Sequence, residues 1–245
     1  MIDHRDLVSA AAANLTAWHD ANLRAHGLAT AVDDGVWHTP DAAPVIYFSA
    51  IRIAPRGSAA VMVDGTSRTA FVAACDPWSD LDLAPRGFQP DGDHPWMVRP
   101  GDGPWTRPAA PAGLEIEPVV DARGLDEFER TAERGFGMPA QGAGTWHDPR
   151  ILLDHRMQAW IGRVERRPVA VSMSYVSDGV VGVYGVATEP DARGRGYGSA
   201  MTWQAIAADP MLPSVLQPSE LAISMYERIG FRPFARFRHW RRNPR

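Results

Sequence analysis

The chain contains no lysine: all 25 of its basic residues are arginine. A P-loop needs the Gly-Lys-Ser/Thr triplet, so that way of holding nucleotide phosphates is excluded. Cysteine is almost missing as well. Cys75 is the only one, which excludes an intramolecular disulfide and a cysteine-built metal site, and it fits a reducing cytoplasm. No apolar run reaches the ~18 residues that a bilayer span requires. The opening residues, "MIDHRDLVSAAAANL", lack the apolar core of a signal peptide and read as a helix. Charge of neither sign dominates: the net value is −4 and the pI about 6.0. Nucleic acid and anionic membrane are therefore not expected as bulk partners.

What is present is an ordinary globular composition. The 245 residues are 45% hydrophobic and 22% charged, enough for one large domain or two small ones with a real core. Arginine without lysine, with much alanine, glycine and proline, reads as a GC-rich bacterial coding sequence. Leu7, Ala11, Leu15 and Trp18 repeat at helical spacing, and Gly27 follows as a stop. Strands are expected at 44–53 and 71–75, a short helix at 79–86 and a last strand at 95–99. The stretch 90–113 then becomes dense in proline and glycine, which sets a linker at 106–113 between domains at 1–105 and 114–245.

After the linker the pattern restarts. A strand at 114–120 precedes a helix capped by Asp121, with Leu125, Phe128 and Ala132 on one face. A loop with Phe136, Met138, Trp146 and His147 follows, then a short helix near 149–154. Strands at 157–164, 168–176 and 180–188 read as an antiparallel series with a tight turn at Ser177-Asp178-Gly179. A helix at 197–208, a strand at 213–217, a helix at 219–228 and a strand at 232–242 complete the chain. The markers Gly57-Ser58-Ala59 and Gly87-Phe88-Gln89-Pro90 recur as Gly198-Ser199-Ala200 and Gly230-Phe231-Arg232-Pro233. This reads as a duplicated unit whose first copy has lost parts.

The chemistry-bearing stretch is "VATEPDARGRGYGSAM" at 186–201. A strand leads into glycines and then into a helix, which is how backbone N–H groups converge on an anion. The dinucleotide fingerprint G-x-G-x-x-G fails, because its third glycine falls on Ser199. The pattern R/Q-x-x-G-x-G/A is satisfied in full by Arg193-Gly194-Arg195-Gly196-Tyr197-Gly198.

That loop resembles the coenzyme A pyrophosphate loop of the GNAT acyl-CoA N-acyltransferase superfamily. The resemblance extends upstream to Val186-Ala187-Thr188-Glu189-Pro190. Downstream it covers Ser219, Ala222, Met225, Tyr226, Glu227, Gly230 and Phe231, at the spacing N-x-x-A-x-x-h-Y-E-x-x-G-F. It implies an α+β fold with a mixed, mostly antiparallel sheet flanked by helices, duplicated here with a partial, degenerate N-terminal copy. It implies acetyl-CoA as acyl donor, no metal, and acetyl transfer to a primary amine. The implied donor-binding residues are Val186, Ala187, Thr188, Arg193, Gly194, Arg195, Gly196, Tyr197, Gly198, Ser199 and Ser219, the last standing where the family usually has Asn. Tyr226 falls at the family's general-acid position. The general base is not legible: the glutamate that some members carry on the preceding strand is Gly182 here, and Glu189, Tyr184, His155 and His147 remain. Glu189 is expected to cap or to face solvent. Phe136, Met138 and Trp146 are candidates for an acceptor wall. The first half is left for the acceptor groove or a homodimer interface. The alternative to an enzyme is a non-catalytic acyl-CoA-binding or regulatory protein.

Overall fold

The computed structural model describes residues 4–101 and 108–244. Residues 102–107, which include the start of the expected linker, lie outside the described residues. In chain order the elements are α1 (His4–Ala25), β1 (Ala31–Asp33), β2 (Val36–His38), β3 (Ala50–Arg52), α2 (Ala59–Asp64), β4 (Val72–Asp76), β5 (Gln89–Arg99) and β6 (Glu115–Pro118). Then come α3 (Ala122–Phe136), β7 (Met157–Val164), β8 (Arg167–Ser177), β9 (Val180–Thr188), α4 (Tyr197–Ile206), β10 (Ser214–Leu216), α5 (Ile223–Ile229) and β11 (Arg232–Arg242). The chain divides into two compact units. The first runs to Met97 and resumes at Pro233; the second is Val98–Arg232. The sequence reading put the last strand with the second half, whereas nearly all of β11 lies in the first unit.

In the first unit the strand order is β1-β2-β3-β4-β11-β5. β3 runs parallel to β4, and β11 runs antiparallel to it. β1 and β2 form a hairpin through Asp34 and Gly35, both at positive φ (43° and 73°). This is the primed turn that matches strand twist, and Asp-Gly is its preferred dipeptide. The sequence reading passed over this hairpin and extended a strand over 44–53, of which only Ala50–Arg52 pairs. Pro44 cannot donate to a ladder, and the segment turns instead, with Tyr47 N donating to Pro44 O at 2.9 Å. The expected helix at 79–86 shrinks to a single 3-10 turn at Ala84–Arg86. Asp76 consumes the local donors there, accepting from Trp78 N and Leu81 N.

α1 buries Leu7, Val8, Ala11, Ala12, Leu15 and Trp18. A second core, of Val36, Met62, Val72, Leu83, Phe88 and Trp240, joins α2 to the sheet. Beside them three imidazoles sit among aromatic rings. His19 stacks on Phe48 at 5.2 Å, and Phe48 meets His239 edge-on at 4.6 Å. His239 in turn lies 4.6 Å from His94 and 4.8 Å from Phe237. His19 Nδ1 donates to Leu15 O at 2.8 Å, which fixes its tautomer. Burial pulls both His19 and His239 down to about 3, with His94 and His19 adding to the effect at His239. The loop after β3 is closed on itself. The buried Arg52 guanidinium donates to Ala54 O, Pro55 O and the Asp76 carboxylate.

In the second unit the order is β10-β9-β8-β7-β6, antiparallel except for the parallel pair β9 and β10. Primed-type turns at Glu165-Arg166 and Asp178-Gly179, all at positive φ, connect β7 to β8 and β8 to β9. α3 starts at Asp121, whose carboxylate accepts from Gly124 N at 2.8 Å, and it ends at Gly137. Its apolar stripe, Leu125, Phe128 and Ala132, is buried. Gly135 lets α3 lie against the end of β9, since a Cβ there would come within 2.8 Å of the Ala187 Cβ.

The two buried imidazoles fix a pH dependence for the first unit. Their folded pKa values lie below the ordinary ~6.5, so the unfolded chain binds more protons as the pH falls. The stability they permit is complete above pH ~6.5 and is lost towards pH ~3, each group adding a slope of up to about 1.4 kcal/mol per pH unit. The urea midpoint followed by tryptophan emission is expected to drop between pH 6.5 and 4, and to drop less in His19→Phe/His239→Phe. Equal slopes in parent and variant would exclude this origin.

Candidate active site

The site is built around β9. Its pairing with β10 covers only Ser214↔Val181 and Val215↔Gly182. β9 nevertheless continues to Thr188, held along its other edge by β8 through Val171↔Ala187 and Ala170↔Thr188. Among the described residues the β9–β10 ladder runs no further than Gly182. Between Met173↔Tyr184 and Val171↔Ala187 the register slips by one residue. Gly185, at φ +58°, takes up this bulge. A Cβ at Gly185 would also press on Phe128 Cζ at 3.2 Å. Val186, Ala187 and Thr188 end β9, the last two opposite Val171 and Ala170 of β8.

The chain leaves β9 through a turn at Pro190–Ala192 and enters α4 through the glycine loop. Gly196 caps the helix in the left-handed conformation (φ +81°), and no side chain bonds to the first turn. Ala200 is the first helix amide with a partner in that turn, donating to Gly196 O at 3.0 Å. The amides of Tyr197, Gly198 and Ser199 precede it, and a helix N-terminus leaves such groups for a ligand or water. Gly194 (φ +77°) has open space on its Cβ side. Arg195 is exposed beside it, whereas the Tyr197 ring is buried and offers only its backbone. Arg193, expected at the rim with Arg195, turns towards α3 and donates to Gly135 O at 2.7 Å and Thr188 O at 3.3 Å. Ser219 is exposed and makes no capping bond at the turn that it opens.

Tyr226 projects from α5 into the interior with 6% of its surface exposed. Its ring meets Phe231 edge-on at 5.7 Å. Burial raises the phenol well above its ordinary value, and the nearby Thr202 side chain pulls it partly back. At neutral pH it is fully protonated.

Residues that the sequence reading left ambiguous now have positions. Glu189 is buried rather than solvent-facing, and it binds Arg134 of α3 at 2.5 Å and Arg167 of β8 at 2.9 Å. His155 is exposed and His147 is buried. Burial pushes the Tyr184 phenol well up. Trp146 is buried, while Phe136 is half exposed. Met138 joins Glu129, Glu133 and Gln141 in lining a cavity of about 420 Å³ between α3 and the following loop. Glu129 escaped sequence analysis altogether. It accepts from His147 N at 2.6 Å and Gly144 N at 3.1 Å, and Glu133 accepts from Gln141 N at 2.8 Å. Among the described residues no group of three or more His, Cys, Asp or Glu side chains is placed to hold a metal ion, and no helix is long and apolar enough to cross a membrane.

Residues 125–231 match the profile of the acetyltransferase (GNAT) family. This segment is a GNAT-family domain. A search of curated proteins returned no match. Among solved structures, a GCN5-related N-acetyltransferase from Kribbella flavida has 20% identity and a TM-score of 0.62, covering 93% of this chain and 95% of its own. A GNAT-family protein from Novosphingobium aromaticivorans has 19% identity and a TM-score of 0.62, covering 96% and 99%. A GCN5-related N-acetyltransferase from Sphaerobacter thermophilus has 16% identity and a TM-score of 0.57, covering 85% and 76%. At these identities the likeness is one of fold, and it takes in both units.

Glu129 gives the GNAT domain a pH signature of its own. Burial raises it to about 7, with Glu133 and Asp126 adding to the rise against the two backbone bonds. Its folded value lies above the ordinary ~4.3, so its contribution is fully present in acid and is lost as the pH rises through 7. Glu129→Gln should therefore gain melting temperature over the parent progressively from pH 5 to pH 8. A difference that stays constant across that range would count against the assignment.

Proposed function

We propose that the chain is an acetyl-CoA-dependent N-acetyltransferase that acts on a primary amine by direct attack. The observation that carries this reading is the parting of β9 from β10 immediately before a glycine loop capped in the left-handed conformation. The donor set fits a pyrophosphate. Unpaired helix-turn amides, open space at Gly194 and the exposed Arg195 suit an anion. The free edge of β9 at Val186–Thr188 suits the amides of an extended pantetheine arm, in the manner of an added strand. Ser219, which makes no cap bond at the turn it opens, is our further candidate for a contact to that arm.

Bound acetyl-CoA supplies an activated thioester. The chain's own task is to orient it, to admit an uncharged amine and to protonate the departing sulfur. Tyr226 is our candidate for the last step: it is neutral, buried and carries its proton at all physiological pH. Its raised value makes it a weaker acid than an ordinary phenol, so the transfer to sulfur needs Tyr226 close to the breaking C–S bond. We read the first unit as a degenerate copy of the same fold. Gly87 and Gly230 both end a helical turn in the left-handed conformation, and each precedes a buried phenylalanine, Phe88 and Phe231. We assign the protein to the cytoplasm and leave its assembly open between monomer and homodimer.

Two substitutions test the assignment. Gly196→Val should abolish coenzyme A binding by calorimetry at a folding cost of only about 1–2 kcal/mol, the penalty of a left-handed branched residue. Retained affinity would overturn the donor site. Tyr226→Phe should lower turnover at least ~10-fold with coenzyme A affinity nearly unchanged. An unaltered rate would remove Tyr226 from the mechanism. Coenzyme A binding without acetylation of any amine in a broad panel would favour a non-catalytic binder.

A further inference from the structure

In the first unit, the C-terminal end of α2 borders a cavity of about 220 Å³ lined by Val63, Asp64, Arg68, Arg86 and Arg242. Three separate segments bring its arginines together: the turn after α2, the 3-10 turn Ala84–Arg86 and the end of β11. Arg242 is the buried one, with 7% of its surface exposed. Its Nη2 donates to Ser67 O at 2.8 Å and to Thr66 Oγ1 at 3.1 Å, and its guanidinium lies over the Phe88 ring at 4.7 Å. The carbonyls at a helix C-terminus carry partial negative charge, which would repel an anion. Arg242 answers that charge at the end of α2, where its Nη1 also reaches Val63 O at 3.5 Å. Arg68 and Arg86 are exposed. Arg68 meets Asp64 at 3.2 Å, a solvated pair of the kind worth less than about 1 kcal/mol and easily exchanged. Among the described residues the Arg86 guanidinium has no hydrogen-bond or ion-pair partner.

We propose that this cavity binds a phosphoryl dianion, as free phosphate or as the phosphate of a small monoester. Three guanidiniums against one carboxylate leave two positive charges in excess at the cavity, in a chain whose net charge is −4. A dianion balances that excess, whereas a single carboxylate ligand balances half of it. Guanidinium forks also match phosphate oxygens, two N–H groups to two oxygens. Arg68 and Arg86 donate to the ligand, and Arg242, held by its own bonds, supplies fixed charge. The positive groups gather at one small cavity instead of running along a stripe, so the ligand is a small molecule and not a nucleic-acid backbone. The glycine loop before α4 plays no part, because it belongs to the other unit. Nor does the N-terminus of α2, where the Ser58 side chain already accepts from Val61 N. The inference stands independently of the acyl-transfer reading.

The probes are inorganic phosphate and glycerol phosphate, titrated calorimetrically into the full chain at constant ionic strength. Arg86→Gln and Arg68→Gln should each weaken binding roughly 5- to 10-fold, and the double variant should abolish it. Both side chains are exposed, so the variants should fold as the parent does. Phosphate should raise the melting temperature of the parent and leave that of the double variant unchanged. Because the glycine loop is itself a candidate anion site, the titration is repeated in Gly196→Val and with saturating coenzyme A. Phosphate affinity should be the same in both. A monoester that binds more tightly than phosphate identifies an organic ligand; otherwise the ligand is phosphate itself. No saturable binding up to about 10 mM, full affinity in the double variant, or affinity lost in Gly196→Val would each overturn the proposal. Coenzyme A affinity is measured separately in the arginine variants and should not change, so failure here and failure of the donor site are told apart.

Discussion

The early parting of β9 from β10 is the constraint on which the rest of the site depends. A strand inside a sheet spends both edges on its neighbours. β9 spends one edge on β8 as far as Thr188 and releases the other after Gly182. The bulge at Gly185 adds twist where the two strands diverge. The same chain direction that opens the edge then delivers the loop to the N-terminus of α4. One short segment, Val180 to Ser199, therefore holds both the long strand and the glycine loop that caps α4.

α3 keeps that segment in place. Gly135 brings its last turn onto Ala187 and Thr188, and Arg193 ties the loop to Gly135 O. Arg134 holds Glu189, the residue that precedes the loop. An earlier turn of the same helix holds the 138–147 loop, through Glu129 and Glu133 accepting backbone N–H groups. Glu129, Glu133 and Arg134 of α3 are thus committed to positioning two loops. This explains why Glu129 is tolerated as a buried carboxylate. Its two amide donors offset part of the desolvation, and its raised pKa leaves it partly neutral near pH 7.

Much of the second unit was legible because its signals were local and redundant. The glycine spacing, Asp121 as cap, the period-2 strands and the Asp178-Gly179 turn each point to the observed element. The bulge was not legible, because Tyr184-Gly185-Val186 reads equally well as continuous strand. The direction of Arg193 was not legible either: an arginine beside an anion loop looks like a ligand contact until a free carbonyl, Gly135 O, is found closer. Glu129 and Glu133 are helix residues whose partners lie in a loop without periodicity, so nothing in the sequence names those partners. In the first unit the errors were of another kind. Asp34-Gly35 was a strong hairpin signal that went unread, while the β-branched and aromatic run at 44–53 was taken for strand. Its Tyr47 is buried, and Phe48 packs on His19 and His239. Aromatic content reports burial first and strand only second.

The position of β11 bears on how the two units are to be understood. Sequence order makes it the closing strand of the second repeat, following α5 and Gly230 as β5 follows the 3-10 turn and Gly87. Yet β11 pairs with β4 over Arg238↔Asp76 to Arg242↔Val72, and it lies between β4 and β5 inside the first unit. Its Phe237 and Trp240 are buried there, and His239 completes the imidazole and aromatic cluster with Phe48 and His94. The first unit therefore cannot close its sheet until the last residues of the chain have arrived. A cut at the proline-rich linker would separate the repeats in sequence but would strip an internal strand from the first unit.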